Sequence, residues 1–209
     1  MSAPVEDDRL SDTGLPERLP VLALSQLVVF PHVVVPVSVT TPQLAAAVNR
    51  IVQTHKHLLL GVVRLQGEEL PQGVLDTAAP DALYDVGTLS TVVRLLRLGD
   101  GTLRMLVQGM DRVRLLEVQA NGEEGLSARF EPIASTVADP LRTEALRRSV
   151  TAEMEKVIEM TPNLSGELRE VLAGITDPGK LADFVAANID LAVEAKAELL
   201  GTGDVAARL

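Results

Sequence analysis

At Pro132 the hydrophobic period of this chain changes from two to about 3.6, and that switch limits the folds open to it. Before it, apolar residues alternate, or run in short blocks punctuated by Gly, Pro, Asn and Asp; after it they recur three and four positions apart. The pattern predicts an α+β chain, a β-rich lobe followed by a helical bundle.

In the first half, Val33, Val35, Val37 and Val39 alternate along one face. Leu89 to Leu98 and Leu103 to Gln108 flank Gly99-Asp100-Gly101, which predicts a hairpin whose second strand ends at Gln108-Gly109. A second hairpin is expected from Val113 to Val118 and Leu126 to Phe130, with Asn121-Gly122 in the turn. One helix interrupts the strands. It starts with Thr41 as N-cap and Pro42 as first helical residue, and carries Leu44, Ala47, Val48 and Ile51 on one stripe. Residues 66–82, rich in Gly, Pro and acids, read as a surface loop, and residues 1–18 as a flexible tail.

In the second half, Leu146, Val150, Met154 and Val157 form one stripe, Leu164, Leu168, Val171, Leu172 and Ile175 another, and Leu181, Phe184, Val185 and Ile189 a third. Asp177-Pro178 marks the start of the third helix as N-cap and first residue. Near the end, Gly201-Thr202-Gly203 closes a helix and Asp204 opens another. Six residues cannot sustain an amphipathic helix alone, so residues 204–209 are expected either to fray or to begin a longer helix.

The inventory excludes several functions. No cysteine is present, which removes disulfides, zinc–thiolate sites and thiol catalysis. The formal charge of −10 and a ring content of three Phe, one Tyr and no Trp disfavour a nucleic-acid partner. No apolar run approaches the roughly 20 residues of a membrane span, and Glu6, Asp7 and Asp8 are unlike a signal peptide. A cytoplasmic protein without a membrane partner is the plain expectation.

Motifs of catalysis are weak. Gly174 to Lys180 has the glycine and lysine spacing of a phosphate-binding loop, yet Leu181 stands where magnesium needs a hydroxyl, and Pro178 removes a backbone donor. A connector between two helices is the better reading. His55 and His57 flank Lys56 near a helix end, His32 is isolated, and no second pair of metal ligands accompanies them. Serines 25, 38, 90, 127, 135, 149 and 165 sit in no nucleophile elbow, and Glu68, Glu69, Asp76, Asp81 and Asp85 read as solvated loop acid. Neither a catalytic residue nor a bound cofactor or metal is expected.

The positive signal is apolar surface. In the strand from Leu103 to Gln108, Leu103, Met105 and Val107 share one face, leaving Leu106 among the polar residues of the other. Likewise Val34 and Pro36 lie opposite the valine face of their strand, and Pro36 belongs on a sheet edge or bulge. Val34, Pro36 and Leu106 are thus the candidate binding residues.

Several segments together resemble the amino-terminal, substrate-recognition domain of the bacterial ATP-dependent Lon protease family. They are Leu19-Pro20-Val21-Leu22-Ala23-Leu24 with Val28-Val29-Phe30-Pro31; Tyr84-x-Val86-Gly87-Thr88, Asp100-Gly101-Thr102 and Gln108-Gly109-x-x-Arg112; then Asp177 to Asp183, Glu194-Ala195-Lys196 and Asp204 to Leu209. Ala23 departs from the family's usual proline. The resemblance implies a small β-barrel lobe of the pseudouridine-synthase-associated (PUA-like) type joined to a helical bundle. Its implied boundaries are 1–18 for the tail, 19–135 for the β-lobe, 136–203 for the bundle, and 204–209 for the start of a helix leading into further modules. It implies a non-catalytic part that binds unfolded or damaged proteins and delivers them to a homo-hexamer, whose ATPase and peptidase modules would use ATP and magnesium downstream. An architectural module of that hexamer, a stand-alone Lon-domain binding protein and a small-ligand barrel are the competing readings. The scarcity of rings, Tyr84, Phe30, Phe130 and Phe184, argues against the last.

Overall fold

In the computed structural model, which describes residues 15–54, 56–64, 73–75, 78–99, 102–122, 125–160 and 166–209, the chain opens on strand β1 (Arg18–Ser25), followed by β2 (Val34–Val39), helix α1 (Pro42–Thr54) and β3 (His57–Val63). β1 and β3 are almost wholly buried apolar runs and pair in parallel, Val21 opposite Leu59 and Leu24 opposite Val62. Strands of this kind are covered on both faces, which is why they read as blocks rather than as alternations. Leu22, Leu24, Leu58 and Leu60 face α1, while Leu19, Val21, Ala23 and Leu59 face a second core.

After the two-residue strand β4 (Gly73–Val74) and a short 3-10 turn (Pro80–Ala82), the two longest strands follow, β5 (Leu83–Arg97) and β6 (Leu103–Ala120), and then β7 (Leu126–Pro132). The sheet order is β2-β6-β5-β3-β1-β4, and β7 pairs with both β1 and β6. The pairing path β6-β5-β3-β1-β7 therefore returns to β6, and the second core, with Val113, Leu115, Leu126 and Ala128, lies within that path.

Helices α2 (Pro140–Met160), α3 (Gly166–Gly174), α4 (Pro178–Asn188), α5 (Val193–Gly201) and α6 (Val205–Arg208) complete the chain. Met154 and Ile158 of α2 pack with Leu172 of α3 and Leu181 of α4. A further cluster joins strands to helices, with Phe30, Val62 and Val86 against Ala186 of α4 and Leu200 of α5. None of these helices is long and apolar enough to cross a membrane.

Several sequence expectations need correction. The second strand of the first hairpin does not end at Gln108-Gly109: β6 runs on to Ala120, so the second hairpin shares its strand. Gly109 permits a close pass instead of a turn. A Cβ there would collide with the Phe30 carbonyl, and its backbone accepts from His32 N at 2.9 Å and donates to the Val33 carbonyl at 3.0 Å. The loop expected over 66–82 contains β4, which pairs with β1, and the turn at Pro80–Ala82. Arg18, placed in the tail, pairs with Arg129 as the first residue of β1. On α2 the buried position is Ile158 rather than Val157, and on α3 Val171 is exposed beside buried Leu172. In each case a one-position rotation of the stripe keeps the neighbouring residue inward. α6 is docked, not frayed: Val205 and Arg208 are buried, Val205 N and Gly203 O bond with Thr136 at 2.9 Å each, and the Asp204 carboxylate caps Ala206 N. Tertiary contacts supply what so short a helix lacks. Expectations that fall on residues 1–14, His55, Glu68, Glu69, Asp76, Asp100, Gly101, Leu164 and Ser165 lie outside the described residues.

Gly109→Ala is expected to cost about 3 kcal/mol or more, because backbone rather than a flexible side chain must give way. Gly99→Ala, where a Cβ meets nothing within 4 Å, serves as the control and stays within about 0.5 kcal/mol. Urea unfolding of the two variants measures both.

Candidate functional site

β2 is the first strand of the sheet order, with β6 on one side only. Its pairing runs without interruption, Val34 opposite Gln108, Pro36 opposite Leu106 and Ser38 opposite Arg104. On the far side of β6, Thr91 of β5 stands opposite Gln108, Arg94 opposite Leu106 and Leu96 opposite Arg104. Paired residues share a face. The outer face of these three strands is therefore a grid of three rows: Val34, Gln108, Thr91; then Pro36, Leu106, Arg94; then Ser38, Arg104, Leu96.

The inner face of the same strands holds Val37, Val39, Leu103, Met105 and Val107, all buried against α1. That packing fixes the register, since a slip of one residue would exchange the faces. On the outer face Val34 is 50% exposed and Leu96 44%, Pro36 is exposed and Leu106 partly so. A β-bulge between Val92 and Arg94 turns Val93 outward as well, 56% exposed. The result is a mixed face on which Val34, Pro36, Leu106, Val93 and Leu96 stand among Thr91, Arg94, Ser38, Arg104 and Gln108. The Gly109-to-Val33 hydrogen bond makes odd-numbered residues of β2 the bonded positions of the ladder. Pro36, in the alternate set, has its nitrogen on the side of β2 away from β6, where it cannot donate to a further strand, and β4 also lies close to β2.

Where β2 begins, a cleft of about 430 Å³ separates it from the α4–α5 connection. Leu27, Val33, Val34, Val35, Leu191 and Val193 line it, so the outer face continues into the cleft through Val34.

The other half of β6 reaches the helices through charge. Arg112 donates to both oxygens of Asp183 on α4 at 2.6 Å and to the Thr202 carbonyl at 3.0 Å. Arg208 of α6 donates to Asp183 at 2.9 Å and to the Ser135 hydroxyl at 3.1 Å. All three side chains are over nine-tenths buried. Burial weakens the hold of Arg208 on its proton, and the neighbouring Arg112 adds to the effect, while Asp183 opposes it. The Gly174 to Lys180 segment lies beside this cluster as the connection between α3 and α4, with the Asp177 carboxylate capping Lys180 N at 2.8 Å. Among the described residues no group of His, Asp and Glu is arranged to hold a metal.

The family model of the ATP-dependent protease La (LON) substrate-binding domain matches residues 18–209. The chain belongs to the Lon substrate-binding domain family. It is 36% identical to the Lon protease of Xanthomonas oryzae pv. oryzae over 99% of this chain and 24% of that protein. To the Lon protease of Trichlorobacter lovleyi it is 33% identical over 93% of this chain and 23% of that protein. The chain thus spans about a quarter of the length of these curated relatives. Among solved structures, the N-terminal domain of the Mycobacterium avium complex Lon protease superposes with a TM-score of 0.71 at 21% identity, covering 91% of this chain and 93% of that one. The Lon N-terminal domain protein from Xanthomonas campestris gives 0.64 at 16% identity, covering 91% and 94%. These two show the fold: a Lon N-terminal domain, with a mixed sheet and several helices.

Within this Lon domain the three residues singled out in the sequence, Val34, Pro36 and Leu106, stand side by side on one face. Val93, Arg94 and Leu96 were missed because the bulge resets the alternation along β5. The signal was local: two arginines interrupt an otherwise apolar run. Arg112, Asp183 and Arg208 all lie in segments that carried the family resemblance, and the fold joins them across 71 and 25 positions of sequence. No local pattern marks such a cluster.

Asp183→Ala leaves two buried guanidinium groups without their shared carboxylate and is expected to cost about 3–5 kcal/mol. Amide exchange at Val205 to Arg208 accelerates with it, by more than at β6. Unchanged denaturation and exchange would show that the cluster is not the attachment of α6.

Proposed function

We propose that this chain is the part of a Lon protease that captures unfolded or damaged proteins, with Val34, Pro36 and Leu106, joined by Val93 and Leu96, as the contact surface. The observation that carries the reading is that the exposed apolar side chains of these three adjacent strands are gathered on one face, while the opposite face buries Val37, Val39, Val92, Leu103, Met105 and Val107 in the core. Such a surface matches what an unfolded chain exposes and a native protein buries. With Pro36 unable to donate at the edge of β2, contact is made by side chains rather than by a shared backbone ladder, so it suits clients of varied sequence.

Complete burial of a leucine-sized side chain is worth roughly 1.5–3 kcal/mol, which makes each contact weak. Weak contacts suffice where several copies act together, and in this reading the chain works within a cytoplasmic homo-hexamer whose ATPase and peptidase modules, using ATP and magnesium, lie in the rest of the Lon polypeptide. The closed pairing path is read as the small barrel of the PUA-like type, with residues 19–135 as the β-lobe, 136–203 as the bundle and 204–209 as the approach to those modules. Membranes and nucleic acids are not partners in this reading.

The test is the double variant Pro36→Ser with Leu106→Gln, titrated with a fluorescently labelled, reduced and alkylated protein. Affinity is expected to fall about tenfold, equivalent to roughly 1.4 kcal/mol, while circular dichroism and Tm stay near those of the unaltered chain. A folded variant that binds as before would move recognition to another surface and favour the architectural reading of this domain.

A further inference from the structure

Apart from Arg112, buried against Asp183, the arginines of this sheet fall into two groups. At the end where β1, β6 and β7 meet, each is paired: Arg18 with Glu117 at 3.4 Å, Arg114 with Asp85 and Glu131 at 3.3 and 3.4 Å, Arg129 with Glu17 and Glu117 at 3.0 and 3.1 Å. At the other end, Arg94, Arg97 and Arg104 are exposed, and their guanidinium groups make no hydrogen bond or ion pair with any described residue; Arg97, opposite Leu103, lies in register with the inner face. Arg94 and Arg104 lie within the three-row grid, beside its apolar members Pro36, Leu106 and Leu96. Arg94 is the cross-strand partner of Leu106, and Arg104 is next but one to Leu106 along β6 and opposite Leu96. Directly opposed residues have Cβ atoms about 5 Å apart, so both cations stand within a side chain's reach of Leu106.

An acidic chain of net charge −10 has carboxylates enough to pair these arginines, and it pairs three of them at the β1–β6–β7 end. On the outer face it leaves Arg94 and Arg104 exposed beside Pro36, Leu106 and Leu96. From this placement, and resting on the reading of the face as the client-binding surface, we infer that the domain selects among unfolded segments by charge: apolar segments flanked by Asp or Glu are the favoured clients, and apolar segments flanked by Lys or Arg are disfavoured. A client leucine seated over Pro36 and Leu106 brings its flanking residues over Arg94 and Arg104. A carboxylate there finds a guanidinium fork without a competing partner, and an ammonium meets two like charges. Away from this patch the net negative charge of the domain repels acidic chains, so the preference is tied to the face. Two arginines without an aromatic platform fit a short acidic–apolar peptide better than a nucleic-acid strand.

The experiment uses the whole chain and three labelled peptides with one apolar core of leucine, isoleucine and valine, flanked on both sides by paired Glu, paired Gln or paired Lys. Exposed ion pairs are individually weak, and replacing attraction by repulsion at two sites is expected to make the Glu-flanked peptide bind about five- to tenfold more tightly than the Lys-flanked one at low salt, with the Gln-flanked peptide between them. The ratio falls towards one at 0.5 M salt, as screening requires. In Arg94→Gln with Arg104→Gln the Glu-to-Lys ratio collapses to less than twofold. In Pro36→Ser with Leu106→Gln all three peptides weaken together.

Failure of the two readings is distinguishable. Peptides that bind with equal affinity, or a preference that survives in the arginine variant, overturn the charge selection and leave the apolar surface standing. Peptides that fail to bind at all, or that bind undiminished to the Pro36 and Leu106 variant, overturn the surface itself. A single-stranded oligonucleotide that displaces the Glu-flanked peptide at physiological salt would assign the arginines to phosphate and overturn the inference.

Discussion

The close pass of β6 beneath the Phe30–Pro31 turn at Gly109 is the constraint around which the rest of the molecule is arranged. Because no side chain intervenes there, β6 continues as a single strand from Leu103 to Ala120 instead of folding back. Its first half pairs with β2 and β5 and carries Leu106 on the outer face. Its second half pairs with β7 and places Arg112 against Asp183 of α4. One strand thereby connects the apolar surface to the helices, and its position is set twice: by Met105 and Val107 packed against α1, and by Val113 and Leu115 in the second core.

Charge is used in two ways by these strands. Arg112 and Arg208 share the single carboxylate of Asp183 in a dry setting, where each ion forfeits its hydration and geometry must repay it. Arg208 Nε is buried there without a hydrogen-bond partner, so the repayment is incomplete. What the cluster provides is placement. It ties strand β6, helix α4 and the terminal helix α6 to one point, with the Thr136–Asp204 bridge alongside. Arg94 and Arg104, exposed to solvent, carry no comparable desolvation cost. Arginines of these strands thus occupy two settings, buried against Asp183 at Arg112 and exposed at Arg94 of β5 and Arg104 of β6.

How much of this could be read from sequence depended on whether the controlling interaction was local. The break in period at Pro132, the caps at Asp177 and Asp204 and the shared outer face of Val34, Pro36 and Leu106 follow from spacing and side-chain chemistry, and the fold carries each of them, with Leu106 only partly exposed. The parallel pairing of β1 with β3 did not follow, because two doubly buried strands look alike in sequence whatever lies between them. The continuity of β6 was hidden by Gly109, a residue that marks a turn as often as a close approach, with the deciding atom, the Phe30 carbonyl, far away in sequence. Arg94 and Leu96 were concealed by a bulge that alternation cannot anticipate. The meeting of Arg112, Asp183 and Arg208 needed the family resemblance even to bring those residues into view.

The central claim, that unfolded chains dock on the outer face of β2, β6 and β5, is a claim about place, and crosslinking tests place directly. A photoreactive side chain installed at Leu106, and in a separate protein at the exposed Val157 of α2, reports which surface an unfolded chain touches. Efficient crosslinking is expected from position 106, suppressed by excess unlabelled unfolded protein but not by a native one, and only background from position 157. Background from 106 with competed crosslinking from 157 would contradict it, and would place recognition on the helices.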